Sequence, residues 1–229
     1  MRGADGMSAI SEARDTRPAP GTPDFLARAR ARLAPCDFMD EADAPIRVGD
    51  HTLNPGERVL ADAANARPAA VLIPLIARPE GTTVLLTQRS AALRSHSGQV
   101  AFPGGRIDGP DETPVEAALR EAQEEIGLHP SRVEPFGRLD AYLSGSGFRI
   151  VPIVAEVRPP FTLSINDAEV ADAFEVPFDF LMDEANHQRQ SREWKGMQRY
   201  FYAMPWKERY IWGVTAGILR NLYERLVSA

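Results

Sequence analysis

From Ala69 onward the apolar residues fall into short, dense runs. Ala69–Ala77 (AAVLIPLIA) and Thr82–Gln88 (TTVLLTQ) are rich in aliphatic and β-branched residues, and the RPEG between them is a turn signal, so the pair predicts a β-hairpin. A further strand is predicted at Gln99–Phe102, stopped by Pro103-Gly104-Gly105. The period then changes. Thr113 followed three residues later by Glu116 forms a capping box, Pro114 stands where its missing N–H is no loss, and Gly127 is placed to end a helix running from Pro114 to Ile126. Strands are predicted at Val133–Leu143 and Phe148–Val157, with a short one near Arg199–Ala203 and a short helix within VPFDFLMDEANH (Val176–His187). At the C-terminal end, Ile211, Val214, Ile218, Leu222 and Leu226 share roughly one helical face and predict a second amphipathic helix. Strands mixed with helices, without regular βαβ alternation, place the chain in the α+β or α/β class with a mixed β-sheet. No internal repeat of 20–50 residues is visible.

The front of the chain reads differently. Residues 1–22 are rich in Ala, Pro, Gly, Arg and Ser with almost nothing apolar to bury, which predicts a disordered tail, and Met7 is an alternative start. Residues 23–67 read as an accessory segment: a helix over DFLARARARLA, then a polar stretch punctuated by Pro and Gly. The main domain is expected over residues 68–229.

With 229 residues, 44% hydrophobic and 25% charged, the chain has enough apolar material for a real core. The formal net charge of -6 argues against a broad cationic surface and hence against nucleic acid as partner. An anionic substrate then has to be met locally, by metal ions or a few placed arginines. Cys36 is the only cysteine, which excludes an internal disulfide and a thiolate zinc cluster. No apolar run approaches the ~18 residues of a membrane span, and the N-terminus lacks the apolar core of a secretory signal, so a cytoplasmic protein with no membrane partner is expected.

On the Pro114–Ile126 helix, Glu121, Glu124 and Glu125 stand at i, i+3 and i+4, bringing three carboxylates to one side of the cylinder. Like charges at this spacing weaken a helix by a few tenths of a kcal/mol per pair, so the cluster invites a cation, and hard divalent ions are the natural partners of carboxylate oxygens. A glutamate-rich helix by itself is more often only a solvated face. The residues around it decide.

Gly104–Leu128 resembles the Nudix box, G-x5-E-x7-R-E-U-x-E-E-x-G-U with U aliphatic: Glu112, Arg120, Glu121, Glu124, Glu125, Gly127 and Leu128 fit in register. Two positions depart from it. Six residues rather than five separate Gly105 from Glu112, the extra one falling in Asp108-Gly109-Pro110-Asp111, and Ala122 is a small occupant of an aliphatic position. Immediately upstream, LLTQRSAALRSHSGQVAFPGG (Leu85–Gly105) resembles the extended signature of the coenzyme A pyrophosphatase branch at every fixed position, and a weaker likeness continues through AEVADAFEVPFDFLMD and PWKERYIWGVTA.

That resemblance implies a Nudix-type α/β/α sandwich and a hydrolase that uses Mg²⁺ or Mn²⁺ to cut a diphosphate linkage in a nucleotide derivative. The expected substrate is coenzyme A, split into 4′-phosphopantetheine and adenosine 3′,5′-bisphosphate. Glu121, Glu124 and Glu125 are the implied metal ligands, Arg120 orients these carboxylates through ion pairs, and Glu112 supports the loop-to-helix turn. The general base is either a box glutamate such as Glu124 or Glu121, or Glu169 in the polar stretch NDAEVADAF, which is equally an exposed acid. Arg89 and Arg94 either grip phosphates or form structural ion pairs. Gly104 and Gly105 mark either close backbone approach, with a main-chain carbonyl completing the metal shell, or a simple turn. His96 is read as a surface residue, and Tyr200, Phe201, Trp206 and Trp212 as core packing rather than stacking partners for adenine. The competing readings are a Nudix hydrolase of another diphosphate such as ADP-ribose, and a Nudix-fold protein that binds nucleotides or regulates without catalysis. Whether the chain forms a homodimer is left open.

Overall fold

A computed structural model of the chain describes residues 23–36, 46–55, 63–109, 112–194 and 196–227. The expected tail over 1–22, and Pro110 and Asp111 at the site of the extra loop residue, lie outside the described residues. The elements in chain order are α1 (Pro23–Arg32), β1 (Val48–Gly49), β2 (Arg67–Arg78), β3 (Gly81–Arg89), β4 (Val100–Ala101), β5 (Gly104–Arg106) and α2 (Pro114–Ile126). They continue with β6 (Val133–Arg138), β7 (Tyr142–Leu143), β8 (Phe148–Val157), β9 (Val170–Pro177), α3 (Phe178–Leu181), β10 (Gln188–Trp194), β11 (Met197–Trp206), β12 (Arg209–Trp212) and α4 (Val214–Leu226).

β2 is the spine of the molecule. It forms the expected antiparallel hairpin with β3, from Leu75↔Val84 to Arg78↔Gly81, and runs parallel to β8 from Arg67↔Phe148 to Ile76↔Val157. Its first half also takes β5, with Ala70 opposite Gly105 and Val71 opposite Gly104. β3 is joined by β4 and β9, and β8 by β6 and β7, giving a mixed sheet of nine strands. The near-continuous apolar run of β2 follows from burial on both faces. Ala70, Leu72 and Ile76 pack with Ala117, Ala118, Ala122 and Ile126 of α2, while Ala69, Ile73 and Leu75 belong to the core that holds Ile218, Leu219 and Leu222 of α4. The result is a sheet between two helices, an α/β/α sandwich. Among the described residues, no helix is long and apolar enough to cross a membrane.

Several expected elements are redrawn. The strand expected over Val133–Leu143 is two, β6 and β7, interrupted at residues 139–141, and the β6–β8 register slips between Pro135 and Gly137 within β6. The short strand near Arg199–Ala203 extends over Met197–Trp206 and is the middle of a separate antiparallel sheet, β10-β11-β12. Ile211 belongs to β12, so α4 starts later, at Val214. Within Val176–His187 only Phe178–Leu181 is α-helical, followed by a 3₁₀ turn at Glu184–Asn186. The segment before β2 is tied to the sheet: Ala34 bridges Arg138, Leu33 is buried, and β1 runs parallel to β7.

α2 has the termini its sequence dictates. Thr113 Oγ1 accepts from Glu116 N (3.2 Å), Glu116 Oε2 accepts from Thr113 N (2.8 Å), and Gly127 ends the helix at φ 68°. We expect Thr113→Ala to lower stability by about 1 kcal/mol in urea or thermal melts and Thr113→Ser to keep most of it. Equal stability of the alanine variant would show that packing on β2 alone holds α2 in place.

Candidate active site

The three small residues Ala117, Ala118 and Ala122 let α2 lie close on the sheet, and this sets the depth of its glutamates. Glu125 is 2% exposed, whereas the Glu121 side chain keeps 15% and that of Glu124 56% of its exposure. β5 runs past the buried pair. Gly104 N donates to Glu125 Oε2 (3.1 Å), and a Cβ on Gly105 would stand 2.3 Å from a Glu121 carboxylate oxygen. Gly104 also has φ 153°, with its Cβ position 2.4 Å from the Ala70 carbonyl oxygen. These glycines are therefore points of close approach between a strand and the acidic helix, not a simple turn.

Burial pushes the Glu125 carboxyl up to about 7, opposed by the Gly104 N–H and by Arg89, and reinforced by repulsion from Glu121 and Glu169. Burial likewise raises Glu121, opposed by Arg120 and reinforced by Glu124 and Glu169. Glu169, half-buried at the entry to β9, thus lies within electrostatic reach of both buried acids. Its main-chain carbonyl accepts from Ser90 N (2.8 Å), which fixes this segment to the end of β3.

Arg120 ties the cluster together. Its Nε donates to Glu112 Oε1 (2.8 Å), Nη1 to Glu121 (2.9 Å) and Glu124 (3.2 Å), and Nη2 to the Arg106 carbonyl (2.9 Å). Glu112, held below its ordinary pKa by Arg120, also accepts from Asp108 N, so the pair clamps the loop after β5 onto α2. Arg89 ends β3 with Nη1 3.7 Å from Glu125 Oε1, and its Nε is buried without a hydrogen-bond partner. Arg94 is exposed on the β3–β4 connection and is not in the wall of the adjoining cavity.

That cavity, about 1040 Å³, is walled on the acid side by Arg89, Gly104, Gly105 and Arg106. Phe201 and Trp212 also line it, because one face of the β10–β12 sheet turns toward the cavity, and so does the exposed Tyr200 on the opposite face, correcting the expectation that all three fill the core. Trp206 stacks on Phe174 at 6.2 Å. His96, expected only at the surface, is exposed and also borders the cavity, in a left-handed backbone conformation (φ 55°). Sequence reasoning missed Arg67, Arg106, Arg192, Arg199 and Trp194, which line the same space. The alternating Arg192-x-Trp194 and Arg199-x-Phe201 pairs carried the signal, visible only once the strands were paired.

As the side chains stand, among the described residues no three carboxylate, imidazole or thiol groups are gathered closely enough to hold an ion. Arg120 bridges Glu121 and Glu124 instead. The donor set nevertheless fits a hard divalent cation: it is all oxygen, and Glu112, Glu121, Glu124, Glu125 and Glu169 outnumber Arg89 and Arg120, with Glu121 and Glu125 raised by burial and by repulsion from neighbouring acids.

The α/β/α sandwich thus sets the carboxylates of α2 beside an arginine-lined cavity. A family model, NUDIX domain, matches residues 66–196. The chain is 42% identical over 164 residues to a protein of Yersinia enterocolitica described as uncharacterized Nudix hydrolase NudL, covering 72% of this chain and 84% of the relative. It is 40% identical over 174 residues to the NudL protein of Photorhabdus laumondii, covering 76% and 91%. Among solved structures, the Nudix hydrolase RenU of M. smegmatis aligns with a TM-score of 0.43 at 28% identity, over 49% of this chain and 71% of that one. The chain belongs to the Nudix family, and it is a Nudix hydrolase.

The Glu125 shift makes a stability prediction. With its folded pKa raised, the metal-free protein keeps this contribution below about pH 4.5 and loses it as pH rises through about 7, by roughly 3 kcal/mol at most. Glu125→Gln keeps an acceptor for Gly104 N but carries no charge. In EDTA it is expected to melt with the wild type at pH 5 and roughly 5 °C above it at pH 8. A variant equally destabilised at both values would contradict the burial cost.

Proposed function

We propose that this Nudix hydrolase cleaves the diphosphate linkage of coenzyme A with a divalent cation, Mg²⁺ or Mn²⁺, giving 4′-phosphopantetheine and adenosine 3′,5′-bisphosphate. The observation that carries the reading is the mutually repelling pair of half-buried Glu121 and buried Glu125, with Glu169 within electrostatic reach, set behind Gly104-Gly105 at the wall of an arginine-lined cavity. The intact signature from Leu85 to Gly105, directly continuous with that acidic helix, favours coenzyme A. The cavity's volume lies at the upper end for small-molecule pockets and suits a long ligand.

In this reading Glu121, Glu124 and Glu125 hold the cation, with a main-chain carbonyl of Gly104 or Gly105 available to complete the set. A cation bound there offsets charge on the diphosphate oxygens and lowers the pKa of a water. Arg120 and Glu112 keep the carboxylates aimed, through the contacts already described. Arg89, whose buried Nε lacks an acceptor, donates to a phosphate oxygen. Glu169 or a box glutamate takes the proton from the attacking water; Glu169 sits close enough to feel both buried acids. Arg94 has no place in the site so drawn.

A panel of diphosphates assayed for kcat/KM is the test. Coenzyme A is expected at least about tenfold above ADP-ribose, a difference of one good polar contact. The reverse order would overturn the substrate assignment. Glu124→Gln, at an exposed position, is expected to lose most turnover while melting like the wild type, and exhaustive EDTA treatment to abolish activity. Full activity in either case would remove the metal site.

A further inference from the structure

The three-stranded sheet β10–β12 lies apart from the acidic helix, yet one of its faces walls the same cavity. Side chains alternate across a strand, and directly paired residues share a face. The pairings Arg192↔Arg199, Gln190↔Phe201, Trp194↔Met197 and Ala203↔Trp212 put Arg192, Trp194, Arg199, Phe201 and Trp212 on one side. All five line the cavity. The other side sends Met204 and Ile211 into the core.

Two arginines directly opposite each other on neighbouring strands form a register that like-charge repulsion disfavours. Arg192 is carried over the rings of Trp212 (4.8 Å) and Trp194 (5.3 Å), which keep its guanidinium at the wall. Arg199 lies against Gly145 beside Asp50, the single carboxylate lining the cavity among the described residues. Asp50 accepts hydrogen bonds from Tyr142 Oη (2.7 Å) and Gly145 N (2.6 Å). In a chain of formal net charge -6, five arginines against one aspartate make this cavity locally cationic. Arg89 belongs to the acid end, whereas the Arg192/Arg199 pair sits on another sheet, flanked by indole rings and by Trp194, which remains 47% exposed. Paired guanidiniums beside exposed aromatic surface suit a phosphate next to a planar base.

We infer that Arg192 and Arg199 form a second anion subsite, which holds a phosphate monoester on the ribose of the substrate's nucleoside half, with the base against Trp212 or Trp194. This rests on the diphosphate-hydrolase reading and narrows it to nucleotides with a third phosphate, at the 2′ or 3′ position. The two arginines are specificity residues. They stand on a different sheet from the strand that runs past the acids.

The experiment measures kcat/KM for two matched pairs, coenzyme A against 3′-dephospho-coenzyme A and NADPH against NADH, in the wild type, Arg192→Gln and Arg199→Gln. Wild type is expected to favour the phosphorylated member of at least one pair by about tenfold or more, the size of a lost charge-assisted contact, and the pair that responds reports the ribose position. Both variants are expected to bring that ratio to within about threefold of unity. Because Arg192 is exposed, its variant should melt with the wild type. A wild-type ratio near one in both pairs, or a preference untouched by either substitution, overturns the subsite. If none of the four compounds is hydrolysed, the diphosphate reading fails separately, and calorimetry decides the subsite. Tighter binding of adenosine 3′,5′- or 2′,5′-bisphosphate than of 5′-AMP, lost in Arg192→Gln, supports it; equal affinities overturn it.

Discussion

Putting carboxylates next to one another in a partly dehydrated place is costly, and the rest of this molecule is arranged around that cost. Glu121 and Glu125 face the sheet because alanines at 117, 118 and 122 draw α2 down onto β2. At that depth water no longer screens them, so their charge has to be met by neighbours or by an ion. The protein's own answers are partial. Arg120 reaches Glu112, Glu121 and Glu124, one main-chain N–H reaches Glu125, and Arg89 approaches it at 3.7 Å. Glycine is needed at 104 because any side chain there would collide with the β2 backbone, and a side chain at 105 would displace the Glu121 carboxylate.

Charge then separates along the cavity. Acids gather behind β5 on one side, and arginines from β2, β3, β5, β10 and β11 face the open space. In the function proposed above, the arginines guide a polyanionic ligand into this space and a cation mediates between it and the acids. The main sheet and α2 supply the acidic end, while the separate β10–β12 sheet supplies a wall whose chemistry differs, with guanidiniums alternating with indole and phenyl rings. This division lets substrate preference vary without disturbing the acidic helix.

What could be read from the sequence was local. The bounds of α2 came out as expected because a capping box, a first-turn proline and a terminal glycine are short-range signals, and the β2–β3 hairpin because its turn residues separate two apolar runs. Glu121, Glu124 and Glu125 share a side for the same reason, yet their unequal burial depends on where the helix lands. β10 was invisible: QRQSREW is polar throughout and becomes a strand only by pairing with β11. The proximity of Glu169 to Glu121 and Glu125 is likewise tertiary, produced by β9 folding back along β3. Arg89 and Arg94 looked equivalent as motif positions. Only the strand end and the exposed connection distinguish them. The aromatic residues at 200, 201 and 212 were assigned to the core because residue type alone does not tell which face of a sheet meets solvent.

The central claim is that the clustered acids of α2 are completed by a divalent ion. Anomalous diffraction from crystals equilibrated with Mn²⁺ tests it most directly. The account predicts a manganese peak within about 2.5 Å of carboxylate oxygens from Glu121, Glu124 and Glu125, with Arg120 withdrawn from Glu124. A map with no peak there at saturating Mn²⁺, and Arg120 still joined to both Glu121 and Glu124, would contradict it.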